Sequence, residues 1–422
     1  MAHRSEVDLP LPAPGSQPDD APGQNKKRGR RRKRRRNRKV FAREATAQSG
    51  DAAGQAGVKP VQPPPAEPQR QTESGPQRYR NIPQSKRGPV YAALDLGTNN
   101  CRLLVAVPQR PGQFRVIDAF SRIVRLGEGL TSSGRLSDAA MDRAVEALKV
   151  CAEKLAVREI RRSRLIATEA CRAAENGEHF LARVKEETGL DLEIIDRQTE
   201  ARLAVSGCGS LVERNTDAVV LFDIGGGSSE IALVDVSERR SPRLASHIVS
   251  WTSLPVGVVT LAERFGGREV TRESFAAMVA AVGEMLSAFE DRHRLGGLAA
   301  GSGFHLLGTS GTVTTLAGVH LELERYDRRR VDGLWLSSQQ VDGIMERLLG
   351  LSFEERKANP CIGADRADLV LAGCAILEAI RQVWPAERLR VADRGLREGM
   401  LSELMADDGV WRRRRLRGRG GR

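Results

Sequence analysis

Two turns in the sequence combine an aspartate with glycines and small polar residues, which suits them to binding phosphate. The first is DLGTN, which begins at Asp95, and the second is DIGGGSSE, which begins at Asp223. Glycine lets the backbone approach a ligand closely, and successive N–H groups of a turn form a concave site for an anion. An aspartate beside that site can hold Mg²⁺ against the same phosphate. The two turns therefore predict phosphate binding with the help of a divalent cation.

The recurrence of this turn carries more weight than either copy alone. A single Asp-x-Gly turn after a strand is most often an ordinary hairpin turn. A second copy at the distance of a whole domain favours a shared binding role. We predict that Asp95 and Asp223 hold the metal. Phosphate is predicted to bind to Gly97, Thr98, Asn99, Gly225, Gly226, Gly227 and Ser228.

Each turn lies between two short apolar segments that are typical of strands. VYAAL at 90–94 and RLLVAV at 102–107 flank the first turn, and DAVVLF at 217–222 and IALVDV at 231–236 flank the second. Apolar residues at helical spacing follow Ser137, which predicts a helix capped by that serine. Strands and helices alternate along the chain, and the strand–turn–strand unit occurs twice. We therefore predict two α/β domains with the same arrangement of elements around a cleft.

The formal net charge of +13 comes from two basic segments. Residues 26–39 hold twelve Lys and Arg, residues 412–422 hold seven Arg, and neither segment contains an acid, so the rest of the chain carries −6. Blocks of like charge repel and do not fold alone. We therefore predict a disordered arm over 1–88 and a disordered tail over 408–422. Lys and Arg neutralise phosphates regardless of sequence, so these segments are expected to associate with RNA or polyphosphate.

Composition argues against several other classes of protein. No segment approaches the roughly 18 apolar residues that a membrane helix needs. The six cysteines show no C-x-x-C spacing and the six histidines show no H-E-x-x-H, so zinc sites and disulfide frameworks have no local support. At roughly 150 residues per domain, 422 residues predict two to three folded units. We expect a cytoplasmic protein with reduced cysteines and no membrane partner.

Four further motifs lie between and after the two turns, and together they restrict the kind of phosphate-binding protein that the chain can be. Two of them share the letters TEA, and one of these lies shortly before the second turn. The motifs are TEACR at 168–172, TEARL at 199–203, GTSGTVTTLA at 308–317 and DRGLREG at 393–399.

With these motifs the chain resembles the actin, sugar-kinase and Hsp70 superfamily, and within it the exopolyphosphatases and guanosine pentaphosphate phosphatases. The resemblance covers about residues 90–405 and is to the short form, which lacks additional C-terminal helical domains. It implies an α/β fold of the two-domain, actin-like (ribonuclease H-like) type, with an interdomain cleft. The domains would then span 89–215 and 216–407.

The resemblance also implies roles for individual residues. Glu200 corresponds to the general base that activates water, Arg172 to an arginine that contacts phosphate, and Glu230 to an acid near the metal. Asn100 stands where many members have Ser or Thr, and its amide can also bind phosphate. From the residues alone, Glu200 is more simply read as a helix N-terminal acid paired with Arg202, and Arg172 as a solvated ion-pair partner.

The activity implied is Mg²⁺-dependent hydrolysis of the terminal phosphoanhydride of polyphosphate or guanosine pentaphosphate. Two alternatives remain open at the level of sequence. One is an ATP-dependent kinase or ATPase of the same superfamily, and the other is a non-catalytic, RNA-associated binding protein whose basic segments carry the function. The motifs do not separate the two phosphate substrates, and a homodimer is compatible with the sequence.

Overall fold

The computed structural model describes residues 88–241 and 243–411, which form two lobes with one β-sheet each. The predicted N-terminal arm, apart from Gly88, and residues 412–422 of the predicted tail lie outside the described residues. Within the described part of the tail, Asp408 accepts a hydrogen bond of 2.7 Å from the Tyr91 hydroxyl. Val410 and Trp411 pack against the cluster of apolar side chains that includes Tyr91.

The first lobe contains a five-stranded sheet. Its strands are β1 (Val90–Leu96), β2 (Asn100–Pro108), β3 (Phe114–Ile123), β4 (Ile160–Ala167) and β5 (Glu193–Ile194). The order across the sheet is β3-β2-β1-β4-β5, with β1, β2 and β3 antiparallel and with β4 and β5 parallel to β1.

The sheet of the second lobe repeats this plan. Its strands are β6 (Ala218–Ile224), β7 (Ser229–Asp235), β8 (Ile248–Leu254), β9 (Phe304–Thr309), β10 (Trp335–Ser337) and β11 (Arg388–Val391). Here β6, β7 and β8 form the antiparallel part, β9 and β11 continue in parallel, and β10 is added at the edge in the order β10-β11-β9-β6-β7-β8. The duplication confirms the predicted α/β, two-lobed actin-like fold.

Helices cover both sheets, and among those described none combines the length and hydropathy needed to cross a bilayer. The helices of the first lobe are α1 (Leu130–Ser133), α2 (Asp138–Ala156), α3 (Glu169–Ala173) and α4 (Gly177–Thr188), and α5 (Arg197–Cys208) follows them but packs on the second sheet. The later helices are α6 (Val258–Phe265), α7 (Arg272–Ser287), α8 (Ser310–His320), α9 (Arg328–Val331), α10 (Ser338–Gly350), α11 (Phe353–Ala358), α12 (Val370–Val383) and α13 (Leu396–Asp407). Short 3₁₀ turns lie at Gly209–Leu211, Leu244–His247, Glu290–His293 and Gly296–Ala300.

Local sequence explains how several of these helices begin. The side chain of Ser137 accepts a hydrogen bond from the Ala140 amide and caps α2, as its position in the sequence predicts. The helix then buries Met141, Val145 and Leu148, which share one face. The six cysteines are buried free thiols, and each belongs to the interior of a lobe.

Helix α13 returns from the second sheet to the first lobe. The sequence prediction grouped this helix with the second domain, yet it packs on β1 and α5, where Met400 and Leu401 join the cluster around Tyr91. Glycine allows the close crossing, since a Cβ atom at Gly399 would lie 2.0 Å from the Leu203 carbonyl oxygen. Helix α5 in turn packs on β7 and β8 of the second sheet, so α13 and α5 each pack on the sheet of the other lobe and contact one another.

His305 on β9 is a buried titratable residue outside the cleft. Its ring is 2% exposed, stands 4.9 Å from the ring of Trp335, and has no hydrogen-bond partner for Nε2 within the described residues. Burial, assisted by the charges of Arg388 and Arg390, lowers the pKa of His305 to about 4. The folded protein thus holds this imidazole neutral.

We expect His305 to destabilise the fold as the pH falls. Its folded pKa lies below its unfolded value of 6.5, so the unfolded chain binds the proton more readily, and stability is lost as the pH falls from about 6.5 towards 4. At pH 5 the loss is about 2 kcal/mol. His305→Leu should flatten this part of the curve of unfolding free energy against pH, whereas exposed His179→Asn should not. An unchanged curve for His305→Leu contradicts the prediction. Denaturant unfolding between pH 7.5 and 5 measures the free energy of unfolding of each variant.

Candidate active site

The two predicted phosphate turns face the same cleft between the lobes. The first joins β1 to β2, the second joins β6 to β7, and the cleft has a volume of about 520 Å³. Thirteen residues were predicted for the site, and all of them except Arg172 line this cleft. Those that line it are Asp95, Gly97, Thr98, Asn99, Asn100, Glu200, Asp223, Gly225, Gly226, Gly227, Ser228 and Glu230.

The two turns approach each other so closely that the second requires glycine. A Cβ atom at Gly226 would lie 2.9 Å from Thr98 Cβ and 3.2 Å from the Asn99 amide nitrogen, and one at Gly227 would lie 2.9 Å from Thr98 Oγ1. Any larger side chain would push the turns apart. The glycines therefore let backbone N–H groups of both turns meet at one place.

Strand register places the acidic side chains of the site. Asp223 on β6 is directly opposite Glu230 on β7, and Asp95 on β1 is directly opposite Arg102 on β2. The two pairs occupy equivalent positions in the repeated plan, so Arg102 is the counterpart of Glu230 with the opposite charge. Sequence reasoning missed Arg102, although the same spacing of seven residues separates the two members of each pair.

Burial raises the pKa of each of these acids. It raises the pKa of Asp223 to about 6 and that of Glu230 to about 7, and it also raises the pKa of Asp95. The charge of Arg102 opposes the shift at both aspartates. Glu230 accepts hydrogen bonds from Ser228 Oγ at 2.6 Å and from Ser253 Oγ at 3.0 Å.

These buried carboxylates fit a hard divalent cation. Oxygen is the donor atom that Mg²⁺ prefers, and a cation beside them offsets the cost of burying negative charge. Within residues 88–241 and 243–411, no three His, Cys, Asp or Glu side chains form a ready-made metal cluster. Mg²⁺ usually takes one or two carboxylates together with substrate phosphates and water, and Asp95, Asp223 and Glu230 would serve in that way.

Glu200 enters the cleft from the first turn of α5. Asp196 caps this helix by accepting a hydrogen bond of 2.7 Å from the Thr199 amide. Burial raises the pKa of Glu200 well above its usual value, and the negative charge of Glu230 adds to the shift, while Arg172 opposes it. The local pair with Arg202 does not form, because Arg202 bonds to Glu403 instead. A buried carboxylate with a raised pKa is suited to accept a proton near neutral pH.

Arg172 lies behind Glu200 and is absent from the residues that line the cleft. Its Nη2 donates to Glu200 Oε2 at 3.0 Å and to Glu169 Oε2 at 2.6 Å, and its Nη1 donates to the Ile195 carbonyl. Arg197 also bonds to Glu169, at 2.7 Å. Arg172 is therefore well placed to hold Glu200 in position, and its contact with phosphate stays a prediction.

The cleft also contains cationic side chains that sequence reasoning did not select. Arg102, Arg366 and Arg397 line it, and among the described residues none of the three has an ion-pair partner within 4.0 Å. Unpaired guanidinium groups in a cleft attract phosphate oxygens. Arg397 lies inside the motif DRGLREG, so the sequence marked this residue but gave no reason to expect it to attract phosphate.

Comparisons with known proteins identify a family and several relatives that are similar to this chain. The model of the Ppx/GppA phosphatase family matches residues 105–407. A guanosine-5'-triphosphate,3'-diphosphate pyrophosphatase of Photobacterium profundum is 30% identical over 319 residues, which cover 75% of this chain and 60% of that protein. A relative of the same name from Aeromonas salmonicida is 28% identical over 321 residues, which cover 76% of this chain and 60% of that protein. The chain thus spans about 60% of the length of these curated relatives.

Two solved structures match this chain over nearly their whole length. The crystal structure of the Aquifex aeolicus member of the Ppx/GppA protein family has 28% sequence identity and a TM-score of 0.62, and it covers 76% of this chain and 98% of its own. An exopolyphosphatase from Cytophaga hutchinsonii has 24% identity and a TM-score of 0.66, with coverage of 76% and 98%. At 24% identity the second likeness supports the fold alone.

Proposed function

Because the chain belongs to the Ppx/GppA phosphatase family, we propose that it is a Mg²⁺-dependent phosphohydrolase. It removes the terminal phosphoryl group of guanosine pentaphosphate or polyphosphate in the cleft between the lobes. The names of the similar proteins make guanosine pentaphosphate the first substrate to test.

One observation carries the proposal. A buried carboxylate with a raised pKa, Glu200, lies in the same cleft as two glycine-containing phosphate turns. A kinase that transfers phosphate to a hydroxyl and a phosphatase that activates water both need phosphate turns. The base in this cleft is bonded to Arg172, which Glu169 holds in turn, so it keeps a fixed direction for accepting a proton.

Different residues of the cleft bind the phosphate and accept the proton. Backbone N–H groups of the turns at 97–100 and 225–228 hold the terminal phosphate, and Arg102 and Arg397 stabilise its negative charge. Glu200 accepts the proton of the attacking water, with Arg172 holding its carboxylate in place. Mg²⁺, when bound, neutralises charge on the transferred phosphoryl group and on the leaving phosphate.

Parallel turnover assays test this function. The full chain is incubated with guanosine pentaphosphate, polyphosphate or ATP, with and without Mg²⁺, and released phosphate is measured. Release from either of the first two substrates that requires Mg²⁺ and no acceptor supports the proposal. Transfer from ATP to an acceptor identifies a kinase, and retention of RNA without any turnover identifies a binding protein. Either of these two results overturns the proposal.

Deleting residues 1–88 is expected to leave kcat nearly unchanged, because the segment holds none of the proposed catalytic groups. The deletion should raise KM for long polyphosphate, and the effect should fade at high salt, since each neutralised phosphate releases a counterion. The deletion should change KM for short substrates little. The measurement is KM for long and short chains at low and high ionic strength.

A chain in which the twelve Lys and Arg of 26–39 become Gln is the matched control, because it keeps the length and removes the charge. This variant should behave like the deletion. If the deletion lowers kcat equally for every substrate and at every salt concentration, the segment takes part in catalysis or folding and the electrostatic interpretation is wrong.

A further inference from the structure

The segment 124–129, which follows β3, is bonded to the first phosphate turn. The amides of Val124 and Arg125 both donate to the Asn99 carbonyl, at 2.9 Å and 3.1 Å, and the Gly127 amide donates to the Thr98 carbonyl at 2.9 Å. A movement of this segment therefore moves the backbone of the phosphate turn. We call residues 124–129 the clasp segment.

Arg125 extends from the clasp segment to the second lobe. Its Nη1 donates to Asp368 Oδ2 at 3.0 Å, and its Nη2 donates to Asp368 Oδ1 at 3.1 Å and to the Asp365 carbonyl at 3.0 Å. The backbone of Arg125 has φ +46°, a left-handed conformation that costs a residue other than glycine about 1–2 kcal/mol. The contact across the cleft thus accompanies a strained backbone, which points to a constraint by the surrounding structure.

A second hydrogen bond crosses between the lobes beside this ion pair. The Gly129 amide donates to Glu263 Oε1 at 2.9 Å. Glu263 belongs to α6, and the first amides of α6, those of Val258 and Val259, donate to the carbonyls of Gly225 and Gly226 at 2.9 Å each. The clasp segment is consequently linked to both phosphate turns, directly to the first and through α6 to the second.

Both ends of the ion pair are braced. On the first lobe, Arg143 donates to the Val124 carbonyl at 3.0 Å and to the Arg125 carbonyl at 3.2 Å. On the second lobe, Arg356 is 2% exposed and donates to the Ala367 carbonyl at 3.1 Å, next to Asp368. Because each partner is held by its own lobe, the ion pair fixes the distance between the lobes rather than the fold of either.

We propose that Arg125 and Asp368 form a clasp that closes the cleft and sets the first phosphate turn against the second. Arg125 is a positioning residue that acts through the backbone of Asn99. The predicted effect of the clasp on catalytic turnover rests on the proposed function, whereas its predicted effect on the position of the first phosphate turn does not. The two turns approach each other closely at Thr98 and Gly226, and the clasp holds them in this arrangement.

Both side chains of the ion pair are in contact with solvent. The side chains of Arg125 and Asp368 are 30% and 26% exposed, and ion pairs in contact with solvent contribute about 1 kcal/mol or less. A bidentate Arg–carboxylate pair also fixes orientation, which a single hydrogen bond does not.

Hydrogen exchange tests the clasp without any substrate. Arg125→Gln and Asp368→Asn should each speed exchange of the Val124 and Gly127 amides by about fivefold, the factor that corresponds to about 1 kcal/mol. The double variant Arg125→Asp with Asp368→Arg should restore slow exchange.

Arg272→Gln is the matched control. Arg272 forms a bidentate pair with Glu346 at 3.1 Å and 2.7 Å, but both residues belong to the second lobe. Exchange at Val124 and Gly127 should stay at the wild-type rate in this variant. Wild-type exchange in Arg125→Gln and Asp368→Asn, or equal acceleration in the control, overturns the clasp.

Kinetics supply the second readout. Both single clasp variants should raise KM about fivefold with kcat changed less than about twofold, and the charge-reversed double variant should recover most of the loss. A loss of kcat at constant KM overturns the positioning role. If the wild-type protein turns over none of the phosphate substrates, the proposed function fails, and the exchange experiment still decides whether the clasp exists.

Discussion

Replacing Glu200 with Gln is expected to lower kcat by about 10²–10⁴-fold, the usual contribution of a general base. The amide keeps the size of the side chain and its hydrogen bonding, but it cannot accept the proton of the attacking water. Substrate binding should change little, because we propose that the turns at 97–100 and 225–228 and Arg102, which line the cleft, hold the phosphate. Steady-state kinetics together with direct binding of guanosine pentaphosphate measure the two effects separately.

Glu403→Gln provides a matched control for this variant. Glu403 is also a glutamate paired with an arginine of α5, Arg202, but it belongs to α13 and does not line the cleft. It should keep nearly wild-type kcat. A Glu200→Gln enzyme with wild-type kcat removes Glu200 from the mechanism. An equal loss in both variants attributes the effect to the stability of α5 instead of to proton transfer.

Asp223→Asn is expected to raise the Mg²⁺ concentration for half-maximal activity by about tenfold or more, because a neutral amide is a poorer ligand for a hard cation. The substitution also removes a buried acid whose pKa is raised to about 6. At saturating Mg²⁺ part of the activity should return. A titration of activity with Mg²⁺ measures the shift, and calorimetric titration of the metal alone measures it without turnover.

The control for this change is Asp235→Asn, at the far end of the same strand pair. Asp235 is opposite Ala218 in the register, and its carboxylate accepts hydrogen bonds only from Ser237 among the described residues. It should leave the metal titration unchanged. If Asp223→Asn also leaves both titrations unchanged, Asp223 is not a metal ligand, and its burial serves the structure of β6.

Several features of the site could be predicted because they depend on neighbours in sequence. Strand, turn and strand around Asp95 and Asp223 follow from apolar runs interrupted by glycine, and the start of α2 follows from the cap at Ser137. The position of Glu200 in the first turn of a helix was also apparent. These are short-range effects, in which backbone preference and local hydrogen bonds decide the outcome.

The partner of Glu200 could not be found in the same way. Local spacing offered Arg202, two residues away, but side chains two positions apart on a helix do not face each other. The structure instead brings Arg172 to Glu200 from α3, 28 residues earlier. That contact depends on how α3 docks on the first sheet and α5 on the second, which no local pattern records.

The sequence by itself determined the paired glycine-containing turns, the α/β fold class and the identity of twelve residues that line the cleft. Only the tertiary structure decided that α13 returns to pack against α5 and that Arg125 reaches Asp368 in the other lobe. The physical reason is distance along the chain. Contacts between residues hundreds of positions apart arise from sheet register and helix packing, and these are set by the burial of many apolar side chains together, not by any short motif.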